Sequence, residues 1–244
     1  MKELVSIITV SYNSEDTITE TILSVLNQSY DNYEYIIIDG LSTDNTINIA
    51  KSFENDFKQK KIPYYIISEK DNGIYDAMNK GIKLAKGNLI GIINSDDFYN
   101  PYTLERIVNF YSKVNYDIMF GDLRIFNNNK ELIKKAKLTD SFNTRYWNHP
   151  TTFVTAKVYA EQLYACESIY DDLDFMLKAR KKGYKFFVLN EILANFRLGG
   201  ISNKKSLINT IKRLKLKNSI YKKYRCKGYL INNFIMEFGK FFLA

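Results

Sequence analysis

Four short, apolar and mostly β-branched segments recur in the first hundred residues, with helical patterns between them. The segments cover residues 4–10, 35–39, 64–68 and 89–93. Apolar residues recur at helical spacing over 15–26, 46–53 and 74–85. Strands that alternate with helices of this length predict an α/β fold, in which a mostly parallel sheet carries helices on both faces.

Beyond residue 99 the alternation loosens. The patterns there predict helices over 103–110 and 172–182, strands over 117–125 and 186–189, and an irregular segment over 147–153. The last forty residues read as two helices without an intervening strand. We therefore expect one α/β unit followed by a helical tail.

Polar side chains follow each of the four early strands. They are Thr9, Tyr12 and Asn13 after the first, Asp39 after the second, Asp71 after the third, and Asp96 with Asp97 after the fourth. The carboxyl ends of parallel strands share one edge of the sheet, so these residues are expected to converge there. Each alone could be ordinary turn or helix-cap chemistry. Four in succession favour a ligand site.

The paired carboxylates Asp96 and Asp97 indicate what that ligand contains. Adjacent acids repel each other unless a cation lies between them. A hard divalent cation that also binds phosphate oxygens is the usual partner of such a pair. The alternative is that the pair merely caps the following helix.

The net charge of +8 is concentrated in the tail. Residues 204–244 contain 11 Lys and Arg residues and a single acid, Glu237, so they carry +10 and the rest of the chain −2. The second tail helix has a broad apolar face made of Leu230, Ile231, Phe234, Ile235, Phe238, Phe241 and Phe242.

A basic helix followed by an amphipathic one is typical of attachment to an anionic membrane surface. The alternative is that the apolar face packs on the rest of the chain and the lysines are simply solvated. Tyrosines interleaved with basic residues also fit single-stranded nucleic acid, but no nucleic-acid-binding motif accompanies them, so we expect no nucleic-acid partner.

Cysteine usage and hydropathy bear on the compartment. Cys166 and Cys226 are far apart and lack metal-ligand spacing, which favours a reducing environment. No signal-peptide pattern and no apolar stretch near 18 residues is visible. We expect a cytoplasmic protein that is at most peripheral on the inner face of the membrane.

The strand-end blocks also resemble, in order and spacing, the motifs of glycosyltransferase family 2. The blocks are residues 9–13, 36–46, 71–81 and 94–97, the last reading Asn-Ser-Asp-Asp. The resemblance covers about residues 4–200 and implies the GT-A fold. It implies a catalytic domain over 1–203, with a nucleotide-sugar-binding half (1–99) and an acceptor-binding half (100–203), before the tail (204–244).

The resemblance also implies roles for the strand-end residues. Thr9, Tyr12, Asp39 and Asp71 would line the nucleoside pocket, with Asp39 accepting a hydrogen bond from the base. Asp96 would contact ribose or sugar, and Asp97 would hold a divalent metal, Mn²⁺ or Mg²⁺. The chemistry agrees, because a diphosphate leaving group needs cationic neutralisation in the transition state.

A second acidic block, residues 170–175, resembles the late motif of the family at the start of a helix. The resemblance implies that Asp172 is the base that takes the proton of the acceptor hydroxyl in an inverting transfer. Asp171 and Asp174 remain alternatives for that role. A simple helix cap favoured by the helix dipole is the structural alternative for the whole block.

Trp147, His149 and Arg197 are further candidates for acceptor or phosphate contacts, the last together with Lys204. Trp147 and His149 lie in a block that resembles one preceding the late motif in many relatives, and His149 could instead be a packing residue. Arg197 and Lys204 flank Gly199-Gly200, as in a lid over phosphates. The family's processive motif, Gln-x-x-Arg-Trp, is absent, which predicts one sugar added per encounter.

These observations predict an inverting, metal-dependent glycosyltransferase. The expected donor is a nucleoside-diphosphate sugar, a UDP-sugar in particular, and the expected acceptor is a growing surface glycan on a lipid carrier. A sugar-nucleotide pyrophosphorylase is one alternative, but it would need a Gly-rich phosphate loop after the first strand, which Ser11-Tyr-Asn-Ser-Glu is not. A catalytically silent binding protein that works through its tail is the other.

Overall fold

The computed structural model describes residues 2–127, 130–139, 142, 144–198 and 207–243. Within these ranges the strands are β1 (Val5–Ser11), β2 (Tyr33–Asp39), β3 (Tyr64–Ser68), β4 (Leu89–Asn94), β5 (Phe98–Tyr99), β6 (Ile118–Asn127), β7 (Lys130–Lys134), β8 (Phe153–Thr155) and β9 (Phe186–Arg197). The α-helices are α1 (Ile18–Leu26), α2 (Thr46–Ser52), α3 (Glu54–Gln59), α4 (Ile74–Leu84), α5 (Thr103–Val114), α6 (Ala156–Glu161), α7 (Asp171–Lys181), α8 (Leu207–Lys223) and α9 (Leu230–Leu243).

All of these strands belong to one sheet. Its order is β3-β2-β1-β4-β8-β6-β9-β5, and β7 pairs with β6 as a hairpin off this path. The first four strands of that order pair in parallel, whereas β8 runs antiparallel to both β4 and β6. The predicted α/β class is confirmed, and in the second half of the chain β9 also runs parallel to β6.

Side-chain alternation along the buried strands produces two separate cores, one on each face of the sheet. One face packs against α4, α6 and α7 through residues such as Ile8, Ile36 and Leu173. The other face packs against α1, α2, α3 and α5 through residues such as Ile7 and Tyr35. Helices therefore cover both faces, as the sequence predicts.

The second half contains more structure than its sequence pattern predicts. β9 extends to Arg197, whereas the prediction ends at Leu189, because the polar pair Asn190-Glu191 interrupts the apolar run. The strand resumes pairing with β6 after a register shift beside Gly121 and Asp122. Such irregularities bend a strand and break its periodicity. The short elements α3, α6, β5 and β8 are also absent from the sequence prediction.

The tail packs on α7, where α8 buries Ile220 and Tyr221, and it also buries several polar residues. Lys217 of α8 and Asn233 and Glu237 of α9 are buried, whereas Ile231 and Ile235 of α9 are exposed. The alternative prediction, in which the apolar face of α9 packs on the domain, is therefore wrong for these residues. No helix in the described ranges is both long and apolar enough to cross a bilayer.

We expect Gly91→Ala to lower the free energy of unfolding by about 1–3 kcal/mol, the usual cost of overpacking a core. A Cβ atom at Gly91 would come within 2.9 Å of both ring atom Cδ1 of Phe153 and the Tyr99 hydroxyl. Urea denaturation measures the change. Adding Phe153→Leu should restore part of the loss, and an equally unstable double variant would contradict this packing.

Candidate active site

The loops that follow β1, β2 and β4 are tied together by hydrogen bonds at one edge of the sheet. The backbone N–H of Asn13 donates to Oγ of Ser42 at 2.8 Å. The hydroxyls of Ser14 and Ser95 lie 2.7 Å apart. Residues distant in sequence are thereby held in one cluster, as the strand-end pattern predicts. Asn13 has a left-handed φ of 47°, a conformation that asparagine tolerates better than most residues.

Tyr12, Gly40 and Asp71 lie next to one another at this edge. A Cβ atom placed on Gly40 would lie 3.3 Å from Cγ of Asp71 and 3.5 Å from Cδ2 of Tyr12. Tyr12 is 61% exposed although it is a large aromatic residue. This edge therefore offers the flat ring of Tyr12 and the carboxylate of Asp71, beside the backbone of Gly40. Such a surface suits a planar ligand.

Asp39 lies beneath this surface. It is fully buried, and its carboxylate accepts hydrogen bonds from the hydroxyls of Ser11, Ser42 and Ser68 and from the backbone N–H of Ser42. These bonds satisfy the buried charge and hold the Gly40–Ser42 turn against the end of β1. The structure thus gives Asp39 a part in shaping the site from below.

Thr9 does not join the other strand-end residues. β1 continues to Ser11, so Thr9 lies inside the strand, where it is fully buried. Its hydroxyl accepts a hydrogen bond from the Tyr35 hydroxyl at 3.0 Å. Strand alternation places Thr9 on the same face as Ile7, toward the core that packs α1, and therefore away from the edge of the sheet.

Asp96 and Asp97 follow β4 at the same edge and differ in environment. Asp96 is half-buried, and burial raises the pKa of its carboxyl. Asp97 is fully buried, and burial, together with the charge of Asp96, raises its pKa well above the usual 3.8. Its Oδ1 accepts a hydrogen bond from the backbone N–H of Arg197 at 3.3 Å. Its Oδ2 is a buried oxygen with no hydrogen-bond partner.

Arg197, at the end of β9, supplies positive charge to this pair. Its guanidinium lies over the ring of Phe126, 5.1 Å from the centroid, and pairs with Glu20. The cation lowers the pKa values of Asp96 and Asp97 and so opposes the effect of burial. Since burial is the larger effect on both carboxyls, this compensation is incomplete. Gly199, Gly200 and Lys204, predicted to form a lid with Arg197, lie outside the described residues.

The described part of the chain holds no cluster of three or more His, Cys, Asp or Glu side chains able to enclose a metal. Asp96 and Asp97 still fit a divalent cation. Carboxylate oxygens are its preferred ligands, and the unpartnered Oδ2 of Asp97 leaves an acceptor unused in a buried place. A cation there would need ligand oxygens from outside the protein, such as those of a diphosphate.

The three acids at the start of α7 separate into different environments. Asp171 accepts the backbone N–H groups of Glu167 and Ser168 at 2.7 and 2.9 Å and so caps the preceding turn. Asp174 binds Nζ of Lys223 at 2.7 Å and the hydroxyl of Tyr224 at 3.0 Å, both in the tail. Asp171 and Asp174 are therefore engaged in holding the structure together.

Asp172 is the acid left beside a histidine. Burial raises the pKa of its carboxyl above the usual 3.8, and the nearby His149, Tyr75 and Lys217 oppose that rise. Burial in turn lowers the pKa of His149, against the effect of Asp172. His149 is therefore mostly neutral near pH 7, next to a carboxylate that binds protons more readily than usual. Such a pair suits proton transfer.

The structure places Trp147 in the core. Its ring is almost fully buried, and its Nε1 donates to Oγ1 of Thr152 at 2.8 Å. The ring meets that of His149 edge to face, with centroids 6.0 Å apart. Trp147 therefore orients His149 and does not line the surface.

Sequence reasoning missed Tyr75 and Lys217 as neighbours of Asp172. Tyr75 lies in the first turn of α4, and its hydroxyl donates to the carbonyl of Ile169 at 3.1 Å. Its place within the third strand-end block was a usable signal. No local signal marks Lys217, which comes from the tail and is brought close only by the packing of α8 on α7.

We expect Arg197→Met to raise the pKa values of Asp96 and Asp97 further, because the guanidinium cation is then lost while the backbone bond to Asp97 remains. Carboxyl carbon chemical shifts followed by NMR over pH report both titrations. The control is Arg106→Met, which removes an exposed arginine paired with Glu191. Equal titrations in wild type and Arg197→Met would show that the guanidinium does not act on the pair.

Comparisons with known proteins identify the family. The family model described as Glycosyl transferase family 2 matches residues 6–169. The chain is 29% identical over 204 residues to the putative teichuronic acid biosynthesis glycosyltransferase TuaG of Bacillus subtilis, covering 81% of this chain and 80% of that protein. It is 39% identical over 126 residues to the UDP-Glc:alpha-D-GlcNAc-diphosphoundecaprenol beta-1,3-glucosyltransferase WfgD of Escherichia coli, covering 52% of this chain and 48% of that protein.

Solved structures show the same fold. TarS residues 1–349 of S. aureus, in complex with UDP-GlcNAc, superimposes with a TM-score of 0.74 at 20% identity, over 96% of this chain and 69% of that one. The mannosyltransferase PcManGT of Pyrobaculum calidifontis, in complex with GDP-Man and Mn²⁺, gives 0.72 at 15% identity, over 98% and 69%. The fold is the GT-A-like fold of these enzymes, and the chain belongs to glycosyltransferase family 2 and is a glycosyltransferase.

Proposed function

We propose that this glycosyltransferase transfers a sugar, with inversion, from a nucleoside-diphosphate donor to a glycan acceptor on a lipid carrier, in the synthesis of a surface polysaccharide. UDP-sugars are the proposed donor class. The observation that carries the proposal is the buried, unpartnered Oδ2 of Asp97 at the edge where Tyr12 and Asp71 also lie.

The donor would occupy the edge formed by the loops after β1 to β4. The exposed ring of Tyr12 offers a stacking surface for a base, and Asp71 offers an acceptor for a base N–H or a ribose hydroxyl. Asp39 would act from below by holding Ser42 in place. Two relatives support this class of donor, since TarS was solved with UDP-GlcNAc and the name of WfgD specifies UDP-Glc.

Asp96 and Asp97 would hold the divalent metal, Mn²⁺ or Mg²⁺, and the Arg197 cation would add positive charge at the same place. The metal, when bound, supplies positive charge that stabilises the departing diphosphate. Asp97 is buried and its Oδ2 has no hydrogen-bond partner, so this oxygen would be available as a metal ligand. A neighbour supports the metal, because PcManGT was solved with GDP-Man and Mn²⁺.

Asp172 would remove the proton from the attacking acceptor hydroxyl. A base is most effective when its pKa approaches the working pH, and burial moves Asp172 in that direction. His149, whose charge acts on the pKa of Asp172, would help to orient the hydroxyl. Asp171 and Asp174 are already engaged with the chain and with the tail, which favours Asp172 among the three acids.

The proposed acceptor is lipid-linked. WfgD is named for a diphosphoundecaprenol-linked sugar, and TuaG for teichuronic acid biosynthesis. Within the proposed catalytic domain, residues 1–99 would bind the donor and residues 100–203 would bind the acceptor. The cytoplasmic face of a membrane, where nucleotide sugars and lipid carriers meet, is the proposed place of action.

We expect Asp172→Asn to lower kcat by about 10²–10⁴-fold, the usual contribution of a general base, with donor affinity unchanged. Release of the nucleoside diphosphate from a panel of UDP-sugars, with sugars on a diphosphate-linked lipid as acceptors, measures the rate. In wild type the rate should fall as pH decreases through the pKa of Asp172, at a higher pH than an ordinary aspartate with pKa 3.8 would give.

The matched control is Asp174→Asn, which removes one charge two residues away in the same helix. This variant loses the ion pair with Lys223 and one of the two oxygens that bind Lys223 and Tyr224, and it should keep kcat within a few-fold of wild type. Full activity of Asp172→Asn together with loss of activity in Asp174→Asn would show that Asp172 is not the base.

We expect Asp97→Asn to weaken Mn²⁺ binding in the presence of UDP at least tenfold, because a neutral amide replaces a carboxylate ligand. Electron paramagnetic resonance of free Mn²⁺ measures the bound fraction. Glu34→Gln is the control, since Glu34 is also buried but binds Ser6 and Lys86 at the opposite edge of the sheet. Equal Mn²⁺ affinity in Asp97→Asn and wild type would contradict the metal role.

A further inference from the structure

Helix α9 has an inverted distribution of polarity over residues 230–235 and 237, the part whose side chains the structure describes. Its polar side chains Asn233 and Glu237 are 1% and 0% exposed, whereas Ile231 and Ile235 are 75% and 45% exposed. Leu230 and Phe234 are also more than half exposed. Helices on the surface of a protein normally bury the apolar stripe and expose the polar one.

Specific contacts fix this orientation of the helix. Glu237 accepts hydrogen bonds from Nε of Arg213 at 2.8 Å and from Nζ of Lys217 at 2.6 Å. The hydroxyl of Tyr170 donates to the same carboxylate at 3.3 Å. Rotating α9 to bury Ile231 would pull Glu237 away from two cations, one of them almost fully buried, and a buried charge without its partner is strongly disfavoured.

Aromatic packing at the start of the helix acts in the same sense. The rings of Tyr221 in α8 and Tyr229 just before α9 stack at 4.4 Å with an interplanar angle of 7°. Nδ2 of Asn233 donates to Oδ1 of Asn218 at 3.4 Å. These contacts hold α9 against α8 through its polar side, so its apolar side points outward as part of the fold itself.

The charge around this apolar face indicates what covers it. Glu237 is the only acid of residues 204–244, and it is buried among cations. Lys222, Arg225 and Lys227, in the last turn of α8 and the link to α9, are exposed. The tail therefore exposes apolar side chains on α9 and, just before them in the chain, a basic border of Lys222, Arg225 and Lys227, and it exposes no acidic side chain.

We propose that α9 docks on an anionic lipid bilayer, with Leu230, Ile231 and Ile235 entering the interface and the basic side chains meeting lipid headgroups. An apolar helix face with a basic border is the combination that such a surface binds. A second copy of the chain fits less well, because two positively charged tails would repel each other. Docking of α9 deepens the proposed function, since a lipid-linked acceptor is presented at a bilayer. The structural evidence for docking comes from the contacts of the tail alone.

Helix α9 is also linked by a hydrogen bond to the residue that precedes the helix of the candidate base. Tyr170, which binds Glu237 of α9, immediately precedes α7, where Asp172 lies. Ile169, one residue earlier, is 64% exposed, and its carbonyl accepts the hydrogen bond from Tyr75. Exposed apolar side chains thus occur both on α9 and beside the acceptor end of the site.

Vesicle flotation tests the proposal with the full chain and no nucleotide or sugar. We expect wild type to float with vesicles of phosphatidylglycerol and phosphatidylcholine. With vesicles of phosphatidylcholine alone it should remain unbound at the bottom of the gradient. Ile231→Ser with Ile235→Ser should weaken partitioning about tenfold, because two apolar side chains no longer enter the interface. Raising the salt concentration should weaken wild-type binding as well, by screening the basic border.

The control is Leu132→Ser with Ile133→Ser, since these residues are 49% and 41% exposed on β7. This variant should bind as wild type does. Equal binding by the α9 variant and wild type, or equal binding to neutral and anionic vesicles, would overturn the proposal. A wild-type dimer in sedimentation that the α9 variant loses, without vesicle binding, would instead identify a second copy as the occupant.

Failure of this inference and failure of the proposed function are distinguishable. Nucleotide binding and sugar transfer to a soluble acceptor do not involve the exposed face of α9, so the Ile231→Ser and Ile235→Ser variant should retain both. Vesicle binding without any nucleotide affinity would contradict the proposed function alone. Nucleotide affinity without vesicle binding would contradict the docking of α9 alone.

Discussion

The parallel register of β1 between β2 and β4 is the constraint on which the site depends. Ser11 pairs with Asp39 on one side, and Val10 pairs with Asn94 on the other. The three strands therefore end at the same level, and the loops that follow them begin side by side at one edge of the sheet. A shift of one residue in either pairing would turn alternate side chains to the opposite face, and Asp39 would no longer meet the Ser11 hydroxyl.

The carboxylates at this edge and on α7 differ in how far hydrogen bonds and nearby cations offset the cost of burying their charge. Asp39, Asp171 and Asp174 have their bonds supplied by neighbouring side chains or backbone, so they stabilise the fold. Asp97 and Asp172 are compensated only in part, and their pKa values are raised accordingly. Incomplete compensation costs stability, and such residues concentrate at functional sites. The same contrast applies to α9, where Glu237 is fully compensated while the apolar side is left exposed.

The first half of the fold was predictable because each buried strand is short, apolar and followed by a helix. Asp71, Asp96 and Asp97 were placed correctly, since strand ends in a parallel sheet have only one edge at which to meet. Thr9 was assigned to that edge because the end of β1 could not be located to within two residues. Alternation then directed it to the core. For Trp147, the sequence showed an aromatic residue near a candidate histidine but gave no sign of its burial.

The second half was harder because its information is not local. The continuation of β9 to Arg197 depends on its pairing with β6, across a bulge that breaks the apolar run. The approach of Lys217 to Asp172 depends on how the tail packs. The orientation of α9 is set by ion pairs between helices that sequence periodicity cannot assign. Composition correctly located the charge in the tail, but the buried acid that orients the helix could be identified only from the structure.

The proposed function depends on Asp97 and a nucleoside diphosphate holding a divalent metal together at the end of β4. An anomalous difference map from a crystal soaked in UDP and Mn²⁺ tests it most directly. We expect one Mn²⁺ peak within bonding distance of Asp97 Oδ2 and of the diphosphate, with the base beside Tyr12. A nucleotide bound elsewhere, or bound at this edge with its Mn²⁺ away from Asp97, would rule out this metal site.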